Sequence, residues 1–526
     1  MLLGIVLHAA LSFALVPWTV TDTHQSQFFD VMFAAIHGFR MPLFFMLSGF
    51  FTAMLWRRRG LIQLLRQRAK RIALPLLLGC FTIIPAMWIV SSIVTRSNAM
   101  SPVETEIWAA IDAGDVDRVR AGLERDEIDI NASHPTSGAT LLSSAAFFGH
   151  DDMVRMLVEE GADVNQRNRD QGTALHTAAF MGEAECAMLL LEAGADPEVL
   201  DASSQTPKTL LTIEHGTTSF IAGQYGVEVD KEELIAGRAR IAEAFGTDQY
   251  LGSKAMVASS GSLDGLAGLL FYFPVFMHLW FLWFLCWLVV MFVGYAQIAR
   301  IINIQRLPKW LICSPLNLVW LVPLTMIPQL FMQRGVFGPD TSVGLLPIPS
   351  VIAYYAIFFF FGAIYWDMDD ERGRLGQRWF ISLPLALFII LPLAIDSVLG
   401  TFGLMSKLEN PTADILLSSF LQALFAWLMI TGSIGCFRQF LPHESKVLRY
   451  ISDSSYWMYL VHLPLVLLAQ WLVCDWNLPA FVKFAAVTLS VFAILLVTYR
   501  FGVRYTVIGK ILNGPRTRQS TETAHS

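Results

Sequence analysis

The sequence predicts an all-α protein: a polytopic membrane bundle of about ten transmembrane helices, interrupted by a soluble α-helical solenoid. Three observations predict it. The 526 residues are 55% hydrophobic and only 15% charged, where a soluble chain carries about 25% charged residues. The charge divides in two: residues 97–266 hold 11 basic and 29 acidic side chains, and the remainder holds 26 basic and 14 acidic. Within the acidic part a motif returns every 33 residues, at Thr140, Thr173 and Thr206.

The first apolar stretch, Met1–Trp18, lacks a basic leader and reads as a spanning helix rather than a cleaved signal. Eighteen helical residues reach about 27 Å, slightly short of a hydrocarbon core of about 30 Å. Nine further segments are long enough to span: Asp30–Leu55, Ile72–Val94, Leu266–Ile298, Trp310–Phe331, Pro347–Tyr365, Trp379–Leu399, Ala413–Phe437, Ser454–Val473 and Leu478–Thr498. Lys and Arg set their orientation. Alternate connections hold 21 basic residues, and the opposite short connections hold three, Arg334, Lys407 and Lys483. Both termini are therefore expected in the cytoplasm and the acidic insert outside it. The expected domains are residues 1–97, spans one to three; 98–265, the insert; 266–510, spans four to ten; and 511–526, a cytoplasmic tail.

The insert carries T-A-L-H-T-A-A at Thr173–Ala179 and a weaker copy, T-L-L-S-S-A-A, at Thr140–Ala146. Thr206–Pro207 opens a degenerate one. V-E-E-G-A-D-V-N at Val158–Asn165 and L-E-A-G-A-D-P-E at Leu191–Glu198 close two units alike. These follow the ankyrin signature and period, and three to four such units are just enough to bury a shared core. Ala109–Val116 reads as an N-terminal cap and Ser259–Gly265 as a hinge back to the membrane. His176 is expected to bond the neighbouring loop rather than a ligand. The insert has no nucleophile paired with a base and no glycine-rich phosphate loop, so it reads as a module for a protein partner.

The six cysteines form no close pair, so neither a disulfide framework nor a zinc site is legible. No metal, bound cofactor or nucleic-acid partner is expected. Ionisable groups inside spans are functional candidates by default, because lipid offers them no partner. They are His8, His37, Arg40, His278 and His462. His37 and Arg40, three apart, share one helical face, which must look into the bundle.

Met1–His8 (M-L-L-G-I-V-L-H) and Ile36–Phe51 (I-H-G-F-R-M-P-L-F-F-M-L-S-G-F-F) resemble the opening of the acyltransferase 3 family, in its glucan-modifying branch. R-A-K-R at Arg68–Arg71 is similar to that family's paired arginines, and His278–Leu282 and Ser455–Pro464 fit its later segments. The resemblance covers essentially all of the chain outside the insert. It implies an O-acyltransferase of the inner (plasma) membrane. The enzyme would move an acetyl- or succinyl-class group from cytoplasmic acyl-CoA to a hydroxyl of an extracytoplasmic glycan. It implies His8 as general base and Arg68 and Arg71 as the donor site. His37, Arg40, His278 and His462 remain as acceptor or oxyanion candidates. Lipid, acyl-CoA, the glycan and a protein at the ankyrin face are the expected partners. The family's Arg, about eleven residues before the His, would fall ahead of Met1, so the chain is expected to begin too late. The rival readings are a non-catalytic scaffold displaying the ankyrin module and an ankyrin-bearing channel or transporter.

Overall fold

A computed structural model describes residues 2–514 apart from 17, 23, 98–100, 136, 169, 202–204, 214, 224, 247–269, 272, 303–307, 333–336, 406–409, 442 and 444. The expected hinge Ser259–Gly265, the charges Arg334 and Lys407 and most of the expected tail lie outside the described residues. Contacts divide the chain into two units, Met1–Ser92 with Phe271–Ser526, and Ile93–Leu270.

Among the described residues the regular secondary structure of the first unit is all helix. Helix α1 (Leu2–Ala10) runs on into a 3₁₀ turn, Leu11–Phe13. It therefore stops short of Trp18, where the expected first span ended. Helix α2 (Gln27–Arg68) carries Ser26 as its N-cap, the Ser26 side chain accepting from Phe28 N–H. α2 is two rods. Gly60 sits at φ 77°, ψ 170°, a region that needs a residue without Cβ. In a straight helix Thr52 and Arg68 would stand about 24 Å apart; here Arg68 Nη2 donates to Thr52 Oγ1 at 2.8 Å. The chain has doubled back. A π-helical turn, Ala69–Ala73, then leads into α3 (Leu74–Ser97).

The insert occupies the second unit. It stacks helix pairs: α4 (Pro102–Ala113) with α5 (Val116–Glu124), α6 (Leu141–Phe147) with α7 (Asp151–Glu159), and α8 (Ala174–Met181) with α9 (Ala184–Glu192). After these come α10 (Pro207–Leu210), α11 (His215–Gly223) and α12 (Lys231–Ala244). The 33-residue period is a capping period: Thr140, Thr173 and Thr206 are the N-caps of α6, α8 and α10. At Thr173 the imidazole of His176 completes the cap. Its Nδ1 accepts from Thr173 N–H at 3.0 Å, and its Nε2 donates to the Gln205 carbonyl of the next repeat at 3.1 Å. Asn131 and Asn165 accept from Asp163 N–H and Asp196 N–H at 2.9 and 2.8 Å, tying successive loops. The last helix brings a fully buried arginine, Arg238, whose guanidinium donates to the carbonyls of Phe180 and Ile213 and to Thr218 Oγ1. The core is small and aliphatic, with Ala145, Ala146, Ala178, Ala179 and Leu190 at its centre.

The membrane unit resumes with a 3₁₀ turn, Met277–Leu279, and α13 (Trp280–Ile302). The expected fifth span is broken. Lys309–Cys313 (α14) and Leu318–Gln329 (α15) are separated by a turn at Pro315–Asn317. Pro315 lacks the N–H that would continue α14, and the Ser314 side chain instead accepts from Leu316 N–H. At twelve residues α15 is about 18 Å long, too short to cross a hydrocarbon core alone. Next come α16 (Pro349–Asp367), α17 (Trp379–Leu385) and α18 (Leu391–Leu399), the last two joined through a π turn. The chain ends with α19 (Pro411–Phe440), α20 (Lys446–Val473), α21 (Ala480–Thr498) and the short α22 (Val507–Asn513). Among the described residues seven helical stretches are long and apolar enough to cross a membrane, and one of them, Gln27–Val94, contains two expected spans.

The tightest helix pair is α2 with α16. A Cβ on Gly49 would strike the Phe359 carbonyl, and one on Gly362 would strike that of Met46. Lipid supplies no hydrophobic drive between helices, so close backbone approach and the dispersion it gains hold such a pair. At one end, Arg57 forks onto Asp367 through Nε and Nη2 at 2.8 and 2.6 Å. This rigid pair is the frame on which Arg40 is mounted.

Candidate active site

Helices α1, α2 and α20 and the turn before α13 bring four of the intramembrane candidates together: His8, Arg40, His278 and His462. The sequence reason begins at Pro464. Proline has no N–H, so the Leu460 carbonyl one turn earlier lacks its helical donor. His278 Nε2 donates to that carbonyl at 3.0 Å. In return the Tyr459 hydroxyl donates to the His278 carbonyl at 2.8 Å. The turn so held is strained, with Met277 at φ 42°.

The hydrogen bonds fix which nitrogen of each neutral ring carries its proton. His462, buried, donates from Nδ1 to the Tyr459 carbonyl at 2.8 Å, so its Nε2 bears the lone pair. That lone pair lies 2.9 Å from His8 Nδ1, which must donate to it. The unprotonated nitrogen of His8 is therefore Nε2. By the same logic the lone pair of His278 is on Nδ1, a buried atom with no hydrogen-bond partner among the described residues. Arg40 reaches into the cluster from α2, Nη1 lying 3.1 Å from where a Cβ on Gly4 would stand, one turn before His8. Among the described residues its guanidinium makes no ion pair, and Nε is buried without a hydrogen-bond partner.

His37 goes elsewhere. Its Nε2 donates to the Pro339 carbonyl at 3.1 Å and its ring stacks on Phe33 at 5.1 Å. The shared face expected for His37 and Arg40 thus serves two neighbours. Arg68 and Arg71 stand at another level. Arg68 bonds Thr52, the Arg71 carbonyl accepts from the Tyr456 hydroxyl, and the Arg71 guanidinium reaches towards the end of α22. Arg71 lies inside the π turn, the kind of irregularity that recurs at functional sites. Along α20, Tyr456 at the arginines and His462 at the imidazoles are separated by about 9 Å of helix rise.

Sequence reasoning missed several members. Gln470, fully buried, donates to the His8 carbonyl at 2.8 Å and accepts from Trp18 Nε1 at 3.0 Å. Its position eight residues after His462, two turns on the same face, was a legible signal; Trp18 offered none. Lys483, counted above as a connection charge, is buried and pairs with buried Asp22 at 2.6 Å. Among the described residues no group of three or more His, Cys, Asp or Glu side chains has metal-holding geometry.

A bundle of long apolar helices, with paired arginines at one level, an imidazole cluster at another and an inserted helical repeat, defines a multi-pass membrane protein. The chain belongs to the acyltransferase family: the acyltransferase domain matches residues 1–109 and 243–500, and ankyrin repeats in three copies match 107–201. It is similar to glucans biosynthesis protein C of Shigella dysenteriae serotype 1, with 38% identity over 77 residues, 15% of this chain and 20% of that one. The protein of the same name from Escherichia coli K12 is 36% identical over 77 residues, with the same coverage. The chain thus spans about a fifth of the length of these curated relatives. Among solved structures, the ankyrin repeat domain of Bcl-3 matches at 29% identity, covering 20% of this chain and 45% of that one, with a TM-score of 0.19.

Proposed function

We propose that this protein transfers an acyl group of the acetyl or succinyl class from cytoplasmic acyl-CoA to a hydroxyl of an extracytoplasmic glycan. The observation that carries the reading is the chain of tautomers ending in a lone pair on His8 Nε2. Arg68 and Arg71 hold the CoA phosphates, since planar guanidinium forks suit phosphate. The acyl-bearing arm then spans the distance between the arginines and the imidazoles. His8 Nε2 takes the proton of the sugar hydroxyl as its oxygen adds to the thioester carbonyl carbon. Of the remaining candidates only Arg40 offers a free donor, because the ring N–H groups of His278, His462 and His37 are already given to other atoms. Arg40 therefore receives the charge of the tetrahedral oxyanion. The C–S bond breaks, the thiolate takes the proton back from His8, and an ester and free CoA result. His462 is a positioning residue, and His278 Nδ1 accepts from the incoming sugar.

The 21-to-three asymmetry of basic residues supports both termini in the cytoplasm of an inner-membrane protein, with the ankyrin insert periplasmic and open to a protein partner. Reporter fusions at Gly172 and Gly373 should then label opposite sides; labelling on one side refutes that orientation. The catalytic test is His8→Gln. An amide hydrogen-bonds but takes no proton, so acylated envelope glycan, measured by mass spectrometry per unit of membrane-inserted protein, should fall about 10²-fold or more. Full activity in that variant defeats the mechanism.

A further inference from the structure

The proposal concerns what stands beside the base, and it rests on the reading of His8 given above. Trp18 lies in the connection between α1 and α2, half-buried, with its ring 6.0 Å from that of His8 and only 15° from parallel. Gln470 fixes this stack from beneath. Its amide N–H groups reach the carbonyls of His8 and Ala9 at 2.8 and 3.3 Å, and its carbonyl accepts the indole N–H at 3.0 Å. A buried amide is costly to bury unless its groups are bonded. Here they are spent on the base's own helix and on Trp18. The same connection is anchored twice more, Ser12 Oγ donating to the Val20 carbonyl at 2.6 Å and Asp22 pairing with Lys483 at 2.6 Å. The indole is therefore held beside the imidazole by the fold.

Its position along the bundle gives it a purpose. On α20, Tyr456 marks the arginine level, His462 the base and Gln470 the indole. Along α20, His462 thus lies about 9 Å of helix rise from Tyr456 on one side and about 12 Å from Gln470 on the other, and the indole that Gln470 holds comes back to 6.0 Å from the His8 ring. A donor entering from the arginines meets His8 from one side, and anything arriving from the other side passes Trp18. Two nucleophiles compete there. Water in place of the sugar would give its proton to His8 Nε2, add to the thioester carbonyl, and release free acid and CoA thiol. An acyltransferase with an acyl donor in place and no acceptor must suppress this reaction.

We propose that Trp18, held by Gln470, is the residue that keeps water from the His8–thioester pair until a sugar displaces it, so that it sets the ratio of transfer to hydrolysis. The test needs no acceptor. Thiol release from acetyl-CoA and from succinyl-CoA is followed in membranes carrying equal amounts of the full chain. Trp18→Ala should release thiol about tenfold faster than the parent, the effect of losing roughly one solvent-excluding contact. Gln470→Leu should do the same, because the indole loses its acceptor. Trp18→Phe keeps a ring at the site and should stay close to the parent. Adding His8→Gln to Trp18→Ala should return release to the parental level, since the water then has no base. Unchanged release in Trp18→Ala with both donors overturns the proposal, as does fast release that survives the loss of His8. Neither result touches the transfer mechanism itself, which the His8→Gln variant tests separately through acylated glycan.

Discussion

Replacing His462 should slow transfer without weakening donor binding, and the structure sets the size of the effect. His462 is 4% exposed, and its Nε2 is the acceptor for His8 Nδ1–H at 2.9 Å. Leucine fills nearly the same volume, so His462→Leu leaves little cavity and one main defect, a ring N–H beside an apolar side chain. A buried donor without a partner costs about 1–3 kcal/mol. His8 escapes that cost by turning over or changing tautomer, and either escape takes the lone pair off the atom that faces the substrate. The expected loss in kcat is therefore roughly 5- to 150-fold. KM for acyl-CoA should stay constant, because Arg68 and Arg71 lie about 9 Å of helix rise away. His462→Gln should recover most of the rate, its side-chain carbonyl accepting where Nε2 did. Initial rates in membranes normalised for protein, over a range of acyl-CoA, give both constants. A Leu variant with the parental kcat would show that His462 does not hold the base, and the tautomer argument would fall with it.

Three other outcomes are expected. Exchanging Arg68 and Arg71 together for Lys keeps the charge but loses the planar fork, so acyl-CoA affinity should drop about tenfold while membrane insertion stays normal; unchanged affinity in equilibrium binding would leave the pair as an anchor only. Gly49→Leu forces a side chain against the Phe359 carbonyl, a backbone atom that cannot rotate away, and should destabilise the α2–α16 pair by about 1–3 kcal/mol, seen as a lower melting temperature in detergent; an unaltered melt contradicts the packing. Burial, the larger cause, pulls the His176 imidazole below its ordinary value of 6.5, against the opposing hydrogen bond to the Gln205 carbonyl. Below about pH 6.5 the unfolded insert takes up a proton that the folded insert refuses, so His176 costs stability as the pH falls towards its folded pKa, and above 6.5 the effect vanishes. Glu183, raised by burial, titrates in the opposite sense. The quantity to read is thus the difference between parent and His176→Gln in thermal unfolding at pH 7.5 and 5.5; equal pH dependence in the two refutes the assignment.

The helical class and the repeat insert were legible because they depend on local quantities. An apolar run long enough to span is a property of consecutive residues, and Thr140, Thr173 and Thr206 announce a cap every 33 residues because each bonds within its own first turn. Arg68 and Arg71 were singled out by the resemblance of R-A-K-R to the family's paired arginines, and His8, Arg40, His278 and His462 by their cost in lipid. Local pattern failed where the backbone departs from a straight rod: Trp310–Phe331 reads as one apolar span, yet Pro315 breaks it.

What only the tertiary structure decided is which nitrogen is free. Each imidazole offers two, and the choice at His8 is made 454 residues away at His462, whose own choice is made by the Tyr459 carbonyl. The same holds for Trp18 and Gln470, 452 residues apart and joined by one hydrogen bond. Sequence spacing carries hydrophobic period and capping, because those act across one helical turn. Proton position and contact across the bundle depend on which helices become neighbours, and that is settled only when α1 and α20 pack.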